Sequence, residues 1–176
     1  MRFLALVLLL ASSLMATEQA FPPSPVGAPE IKTLPAGVLL KAAGSGSYFD
    51  GANNLFRPLF RYISQHDIAM TTPVEAQIDS AAMFFWVAES QRAKVAGSQA
   101  GVEVLKLPER LVASLGARGS YSADNFATTR DELLAWLKER TDVTAAGPAY
   151  AVYWNGPFTL GFLKRYEVHV PLRRLN

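Results

Sequence analysis

Apolar and polar positions follow two periods along this chain, and each period predicts a different kind of element. In "NLFRPLFRYIS" the residues Leu55, Phe56, Leu59, Phe60 and Ile63 recur at three- and four-residue steps, the spacing of one face of a helix. Arg57 and Arg61 stand four apart beside that face. The preceding "SYFDGANN" supplies turn and cap residues, and Pro58 requires the helix either to begin just before it or to bend there. Extended runs surround this helix. "EIKTLPAGVLLKAA" reads as a strand interrupted at Pro35-Ala36-Gly37, Met70 to Ile78 as a second strand, and "AMFFWVAE" (82–89) as a third, with a hairpin at Asp79-Ser80. "VEVLKLP" and "RLVASLGARG" read as a pair turning at Pro108-Glu109. A second helix is predicted from Thr129, with Glu132 completing a capping box and Leu133, Leu134, Trp136 and Leu137 on its apolar face. Two last strands, "AYAVYWN" (149–155) and "RYEVHVPL" (165–172), flank the aromatic loop "GPFTLGF".

The order strand, helix, strands is met twice, which suggests a duplication of structure, although no residue-by-residue repeat is visible. The expected class is α+β: a twisted antiparallel β-barrel flanked by two α-helices, with pseudo-duplicated halves. A helix lying on such a sheet leaves a cleft beside it.

The chain ends differ from this pattern. "MRFLALVLLLASSLMATEQA" has an early Arg2, an apolar run from Phe3 to Ala11, and then small and polar residues, so residues 1–20 read as a secretory signal with cleavage after Ala16 or Ala20. The alternative is an uncleaved N-terminal anchor. No second long apolar run follows, so the expectation is export to the periplasm or beyond, without stable membrane insertion once the signal is removed. Residues 21–29, "FPPSPVGAP", read as a Pro-rich extended tether, and residues 30–176 as one folded domain. At 176 residues and 50% hydrophobic composition, one core is the natural solution.

Charge and cysteine content narrow the chemistry. Seventeen Lys and Arg against 15 Asp and Glu, scattered rather than clustered, argue against nucleic acid as a partner. With no cysteine, disulfides, thiolate metal sites, cysteine nucleophiles and covalent c-type haem attachment are all excluded. The motifs of serine hydrolases, zincins, P-loop proteins and dinucleotide-binding proteins are missing as well.

"LFRPLFRYIS" followed by "IAMTTPV", then "AMFFWVAE", "YAVYWNGPF" and the terminal "KRYEVHV" resemble the SOUL/haem-binding protein family in order and spacing, over residues 30 to 172. The resemblance implies a twisted antiparallel barrel with two helices, in the superfamily of gyrase-inhibitor-like effector-binding domains. It implies non-covalent binding of haem or another tetrapyrrole in an apolar cleft beside the first helix. Where family members commonly carry Arg-Asn-Glu-Val, this chain has Arg165-Tyr166-Glu167-Val168, and only Gln65-His66-Asp67 separates Ser64 from "IAMTTPV".

A tetrapyrrole is a flat apolar disc with two propionates and a central metal, so it needs an apolar slot, cations at the rim and, optionally, an axial ligand. The candidates are Leu55, Phe56, Phe60 and Ile63 for the slot, and Arg57 and Arg61 for the propionates. His66 is the candidate axial iron ligand. Met70, Phe84, Trp86, Trp154 and Phe158 are candidates for an opposite wall. Each has an ordinary alternative: core packing for the apolar residues, solvated stems for the arginines, and interaction with helix-end carbonyls for His66. His169, between Val168 and Val170, is expected to face solvent or the other side of the sheet. Glu167 shares its face with His169 and raises a second possibility, a small hydrolase or effector sensor using this carboxylate with Tyr153 or Tyr166. Its ordinary alternative is a salt bridge to Arg165 or Arg118. A third class is a protein-interaction domain with no small ligand.

Overall fold

The computed structural model describes residues 17–156 and 158–175; the predicted signal therefore falls almost wholly outside the described residues. The strands are β1 (Glu30–Leu34), β2 (Gly37–Ala43), β3 (Val74–Gln77), β4 (Ala82–Val87), β5 (Glu103–Leu107), β6 (Arg110–Arg118), β7 (Val143–Ala145), β8 (Tyr150–Tyr153) and β9 (Arg165–Arg174). The helices are α1 (Tyr48–Gln65) and α2 (Ala123–Lys138), with short 3-10 turns at Glu89–Lys94 and Gly161–Leu163. The strands form one antiparallel sheet in the order β1-β6-β9-β8-β3-β4-β2-β5, and β7 pairs with the end of β9. The class is α+β as the sequence indicates. The sheet curls into a half-barrel whose outermost strands, β1 and β5, each have one neighbour. Setting aside the short β7 between α2 and β8, the orders β2-α1-β3-β4 and β6-α2-β8-β9 repeat, and β3 and β8 meet at the centre.

Alternation along each strand sends side chains to two faces, and both faces are covered. Leu40, Ala76, Phe85, Leu115, Tyr153, Val168 and Val170 point to the side on which α1 and α2 lie. Leu39, Phe84, Trp86, Val112, Tyr150 and Val152 point to the concave side, where Trp154 joins them from just past the end of β8. Because both faces are buried, β4 reads as an unbroken apolar run with all six residues buried.

Helix α1 begins at Tyr48, earlier than expected, so Pro58 lies inside it rather than in its first turn. An internal proline costs about 3 kcal/mol, because a helical hydrogen bond is lost and the ring crowds the preceding turn. Burial of Leu55, Leu59, Tyr62 and Ile63 offsets this, at roughly 1.5–3 kcal/mol for each large apolar side chain. The carbonyl of Asn54, which loses its helical donor, belongs to an exposed residue where water can serve it.

Several expectations need correction. Helix α2 is capped by Ser122, whose hydroxyl accepts from the Asn125 N–H at 3.3 Å. Thr129 is a buried mid-helix residue whose hydroxyl bonds to that of Tyr166 at 2.8 Å, so it caps nothing. Strands β5 and β6 are consecutive but do not pair: β5 adds to β2, while β6 lies between β1 and β9. The second predicted strand, Met70 to Ile78, is cut to Val74–Gln77, and Thr72 before it bridges instead to Gln19. Finally, residues 21–29 lie outside the named strands and turn at Gly27, but they are no loose tether. Phe21 and Ser24 are buried, and Val26 bridges to Gly116 of β6.

Candidate functional site

Two aromatic surfaces compete for attention, one on each side of the sheet. On the helix side, Phe56 and Phe60 occur one turn apart and stack, with ring centroids 5.5 Å apart and planes 16° from parallel. Phe56 is anchored edge-on against Phe85 of β4 at 5.4 Å. Phe60 is 50% exposed, so one ring of the stack faces solvent. Arg57 and Arg61 follow these two residues and are both exposed.

The remaining predicted site residues do not join this surface. Leu55 and Ile63 are buried in the core under α1, and Met70 is partly buried against that core; neither leucine nor isoleucine is available to wall a slot. His66 stands at the C-cap position of α1, with its backbone N–H on the Tyr62 carbonyl. Its ring lies 4.6 Å from that of Tyr62, and its Nε2 is hydrogen-bonded to the Gln99 side chain at 2.6 Å. Six residues after Phe60, it is turned away by about 120° at the 3.6-residue helical repeat. Phe84, Trp86 and Trp154 lie on the concave side of the sheet and cannot wall a helix-side cleft. Phe158 is 99% exposed in the β8–β9 loop. An open groove of about 590 Å³ lies elsewhere, along β2 and β5, lined by Val38, Val95, Val104 and Leu107 with Arg92 and Lys106 at its rim.

The concave side holds what sequence reading only half located. Glu167 and His169 are both 0% exposed; His169 is on the opposite side from Val168 and Val170, as alternation requires, but far from solvent. Glu167 Oε1 accepts from the Trp154 indole N–H at 2.9 Å and the Ser24 backbone N–H at 2.7 Å. Its Oε2 accepts from Lys32 Nζ at 2.9 Å, Ser114 Oγ at 3.0 Å and His169 Nε2 at 2.7 Å. The expected partners Arg165 and Arg118 are replaced by Lys32 from β1.

Burial alone would raise the Glu167 pKa, but hydrogen bonding by His169 and the Lys32 charge outweigh it and hold the carboxyl well below the usual carboxylate range. Burial likewise pushes His169 down, toward the neutral imidazole. Neutral His169 donates from Nε2 to Glu167 and accepts at Nδ1 from the Tyr150 hydroxyl at 3.2 Å. Burial keeps that hydroxyl protonated far above neutrality. Glu167 is therefore an ionised acceptor with five donors, the opposite of a general base poised near neutral pH.

A second buried carboxylate is built in the same style. Glu75 of β3 accepts from the Trp86 indole N–H at 2.9 Å and forms a two-pronged ion pair with Arg110 at 2.7 and 3.1 Å. Sequence reading missed Glu75, Arg110 and Lys32. The available signal was a charged residue at an inward position of an otherwise apolar strand. Tyr153 and Tyr166, proposed as partners of Glu167, point to the helix side. Tyr166 bonds there to Thr129 and to the Asn125 carbonyl, while Tyr153 stacks on Tyr121 at 4.1 Å and its hydroxyl has no partner among the described residues. Among the described residues no group of three His, Cys, Asp or Glu could hold a metal ion, and no helix is long and apolar enough to cross a membrane.

Comparison with known proteins places these observations. The family model described as SOUL heme-binding protein matches residues 24–171. No curated protein matches the sequence significantly. Among solved structures, EcmrR in its complex with DNA is similar at a TM-score of 0.67 and 10% identity; the match covers 84% of this chain and 58% of EcmrR. A hydrolase from Listeria innocua is similar at 0.56 and 12% identity, with 85% and 94% covered. SAV2435 bound to tetraphenylphosphonium is similar at 0.52 and 12% identity, with 83% and 94% covered. At such identities these likenesses establish the fold.

Proposed function

Because the chain belongs to the SOUL heme-binding protein family, we propose that it binds haem or a similar flat tetrapyrrole non-covalently on the flank of α1 that carries Phe56 and Phe60. The observation that supports this is the half-exposed, nearly parallel Phe56/Phe60 stack. An exposed ring continuing such a stack is a platform for a third flat system. Arg57 and Arg61 are near enough along the helix to meet propionates, to which a guanidinium can offer two parallel donors. The residues present thus suit the disc and its carboxylates. They do not suit axial ligation by His66, whose Nε2 is engaged by Gln99 on another side of the helix. Hemin titration of the purified protein, followed by the Soret band, tests this. We expect saturable one-to-one binding, weakened at least tenfold in Phe60→Ala; binding unchanged in that variant would move the site elsewhere.

A second reading is favoured by a separate observation. Two buried carboxylates, each capped by an indole N–H and paired with one cation, sit on the concave face. SAV2435, which shares the fold, holds the lipophilic cation tetraphenylphosphonium. A site for an aromatic or cationic effector on this face is a different role from hydrolysis, for which Glu167 is chemically unsuited.

We also propose that the protein is exported, with cleavage after Ala16. The support is structural: the Thr72 N–H bonds to the Glu18 carbonyl at 2.9 Å and the Ala20 N–H to the Thr72 carbonyl at 2.8 Å, and cleavage after Ala20 would discard both. N-terminal sequencing of the exported protein should begin at Thr17; a start at Phe21 would refute this boundary.

A further inference from the structure

We infer that residues 18–27 are an exchangeable internal occupant of the concave face, which a ligand carrying a flat apolar group and a cation or hydrogen-bond donor must displace. The ligand half of this inference rests on the effector reading above; the exchange of the segment itself does not.

The segment already presents the features of such a ligand. The Phe21 ring enters the concave face and meets Trp86 and Trp154 edge-on, each at 5.6 Å between centroids. Lys32 Nζ lies 5.1 Å from the ring centre, the distance of a cation–π contact. Three residues on, the Ser24 N–H donates to Glu167 Oε1 at 2.7 Å, and the Ser24 hydroxyl meets Ser114 Oγ and Lys32 Nζ, each at 2.7 Å. One flat group and one donor on the carboxylate are thus seated by a segment that is not a strand of the sheet. Pro22, Pro23 and Pro25 have no N–H to give a ladder. The backbone is tied at its two ends, to Thr72 and, through the Gly27 N–H at 2.9 Å, to the Gly116 carbonyl.

The pocket beneath is furnished to stand without its occupant. If the segment withdraws, Glu167 Oε1 keeps the Trp154 indole, and Oε2 keeps Lys32, Ser114 and His169. Ser114 and Lys32 both keep Glu167. No member of this network is left buried without a partner, which is the condition that makes loss of a polar contact severe. Arg165, which donates to the Ser24 carbonyl, is only partly buried and can turn to water. The receiving wall is also shaped for a backbone. A Cβ at Gly116 would stand 2.6 Å from the Pro25 carbonyl oxygen and 2.8 Å from that of Ser24, so a glycine is required where the segment crosses β6.

Two substitutions release the segment in different ways. Phe21→Ala removes its anchor but leaves the groove intact; Gly116→Ala leaves the segment intact but fills the space it crosses. The first probe is a synthetic peptide of residues 17–28 carrying a C-terminal fluorophore, read by anisotropy against the full chain. We expect saturable binding to Phe21→Ala, at least tenfold weaker binding to wild type, where the tethered copy competes at an effective concentration on the millimolar scale, and none to the Phe21→Ala/Gly116→Ala double variant. Hydrogen exchange guards against a folding artefact: in Gly116→Ala the Ser24 and Gly27 amides should exchange at least tenfold faster while the Trp154 indole N–H stays protected. Equal peptide binding by wild type and Phe21→Ala, or none by a Phe21→Ala chain whose indole is protected, overturns the exchange. The second probe is tetraphenylphosphonium, expected to bind Gly116→Ala at least tenfold more tightly than wild type. Equal affinity for both overturns the competition. Peptide exchange with no tetraphenylphosphonium binding to either chain refutes the ligand half and leaves the exchange standing.

Discussion

The α1 flank and the concave face are both rich in aromatic rings, yet they are opposites in how their polar groups are served. On the flank, the Phe56/Phe60 stack ends in a half-exposed ring beside two exposed arginines. On the concave face, Glu167 has five donors and no exposure. The first surface is open to a partner as it stands. The second is complete only while residues 18–27 lie on it, although its carboxylates do not depend on them. Aromatic content therefore does not separate a binding surface from packed interior; the state of the neighbouring polar groups does.

Substitutions can break this contrast, and the largest effect falls on the concave face. Glu167→Ala leaves the Lys32 charge and several buried donors without their acceptor and should cost about 3–5 kcal/mol in urea unfolding, the usual range for removing one partner of a buried pair. On the flank, Arg57→Ala/Arg61→Ala should leave the unfolding midpoint nearly unchanged, since neither arginine is buried, yet weaken hemin binding by about tenfold, the equivalent of 1.4 kcal/mol.

Acid should sharpen the contrast further. His169 is depressed in the folded state, so the unfolded chain takes up a proton first as pH falls, and stability begins to drop below the ordinary histidine value of about 6.5. Glu167 is depressed too; its share is present above the ordinary carboxyl value of about 4.3 and is lost as pH falls through the folded value. Urea unfolding from pH 8 to 3 should therefore show two successive losses, the first missing in His169→Gln and the second reduced in Glu167→Gln. The smallest effects are expected at the two residues outside both networks. His66→Ala should change hemin affinity less than twofold, as its ring serves Gln99 and packs on Tyr62. Tyr153→Phe, which removes a hydroxyl that has no partner among the described residues, should be neutral or slightly stabilising in urea unfolding.

Much of the architecture could be read from the chain because local periodicity reports local burial. The 3.6-residue spacing of Leu55, Leu59 and Ile63 marks the buried side of α1, and β4 and β9 lie close to where their apolar patterns predict them. Helix α2 was half missed because its first turns, Ala123 to Thr128, are mostly small and polar and bury one large side chain, Phe126. Pairing was least legible. Nothing within "VEVLKLP" or "RLVASLGARG" says that each joins a distant strand, since register depends on residues far along the chain. The site shows the same limit. Glu167 and His169 announced themselves as polar residues within an apolar strand, but Lys32, Glu75 and Ser24 become partners only when the sheet curls. Residues 21–29 misled for a related reason: prolines rule out a ladder, and composition is silent about one phenylalanine finding two tryptophans.

The length of chain between Ser24 and Glu167 governs the order of events during biogenesis. Ser24 and Glu167 are 143 positions apart, and β9, which carries Glu167, is the last strand of the sheet. Residues 18–27 must wait for β9 to be placed before their seat on Glu167 exists. Until then Phe21 has nowhere to dock, and closing so long a loop is a late and slow step. Residues 18–27 thus stay accessible while the chain folds and become shielded once β9 is in place, so that their docking reports an assembled sheet.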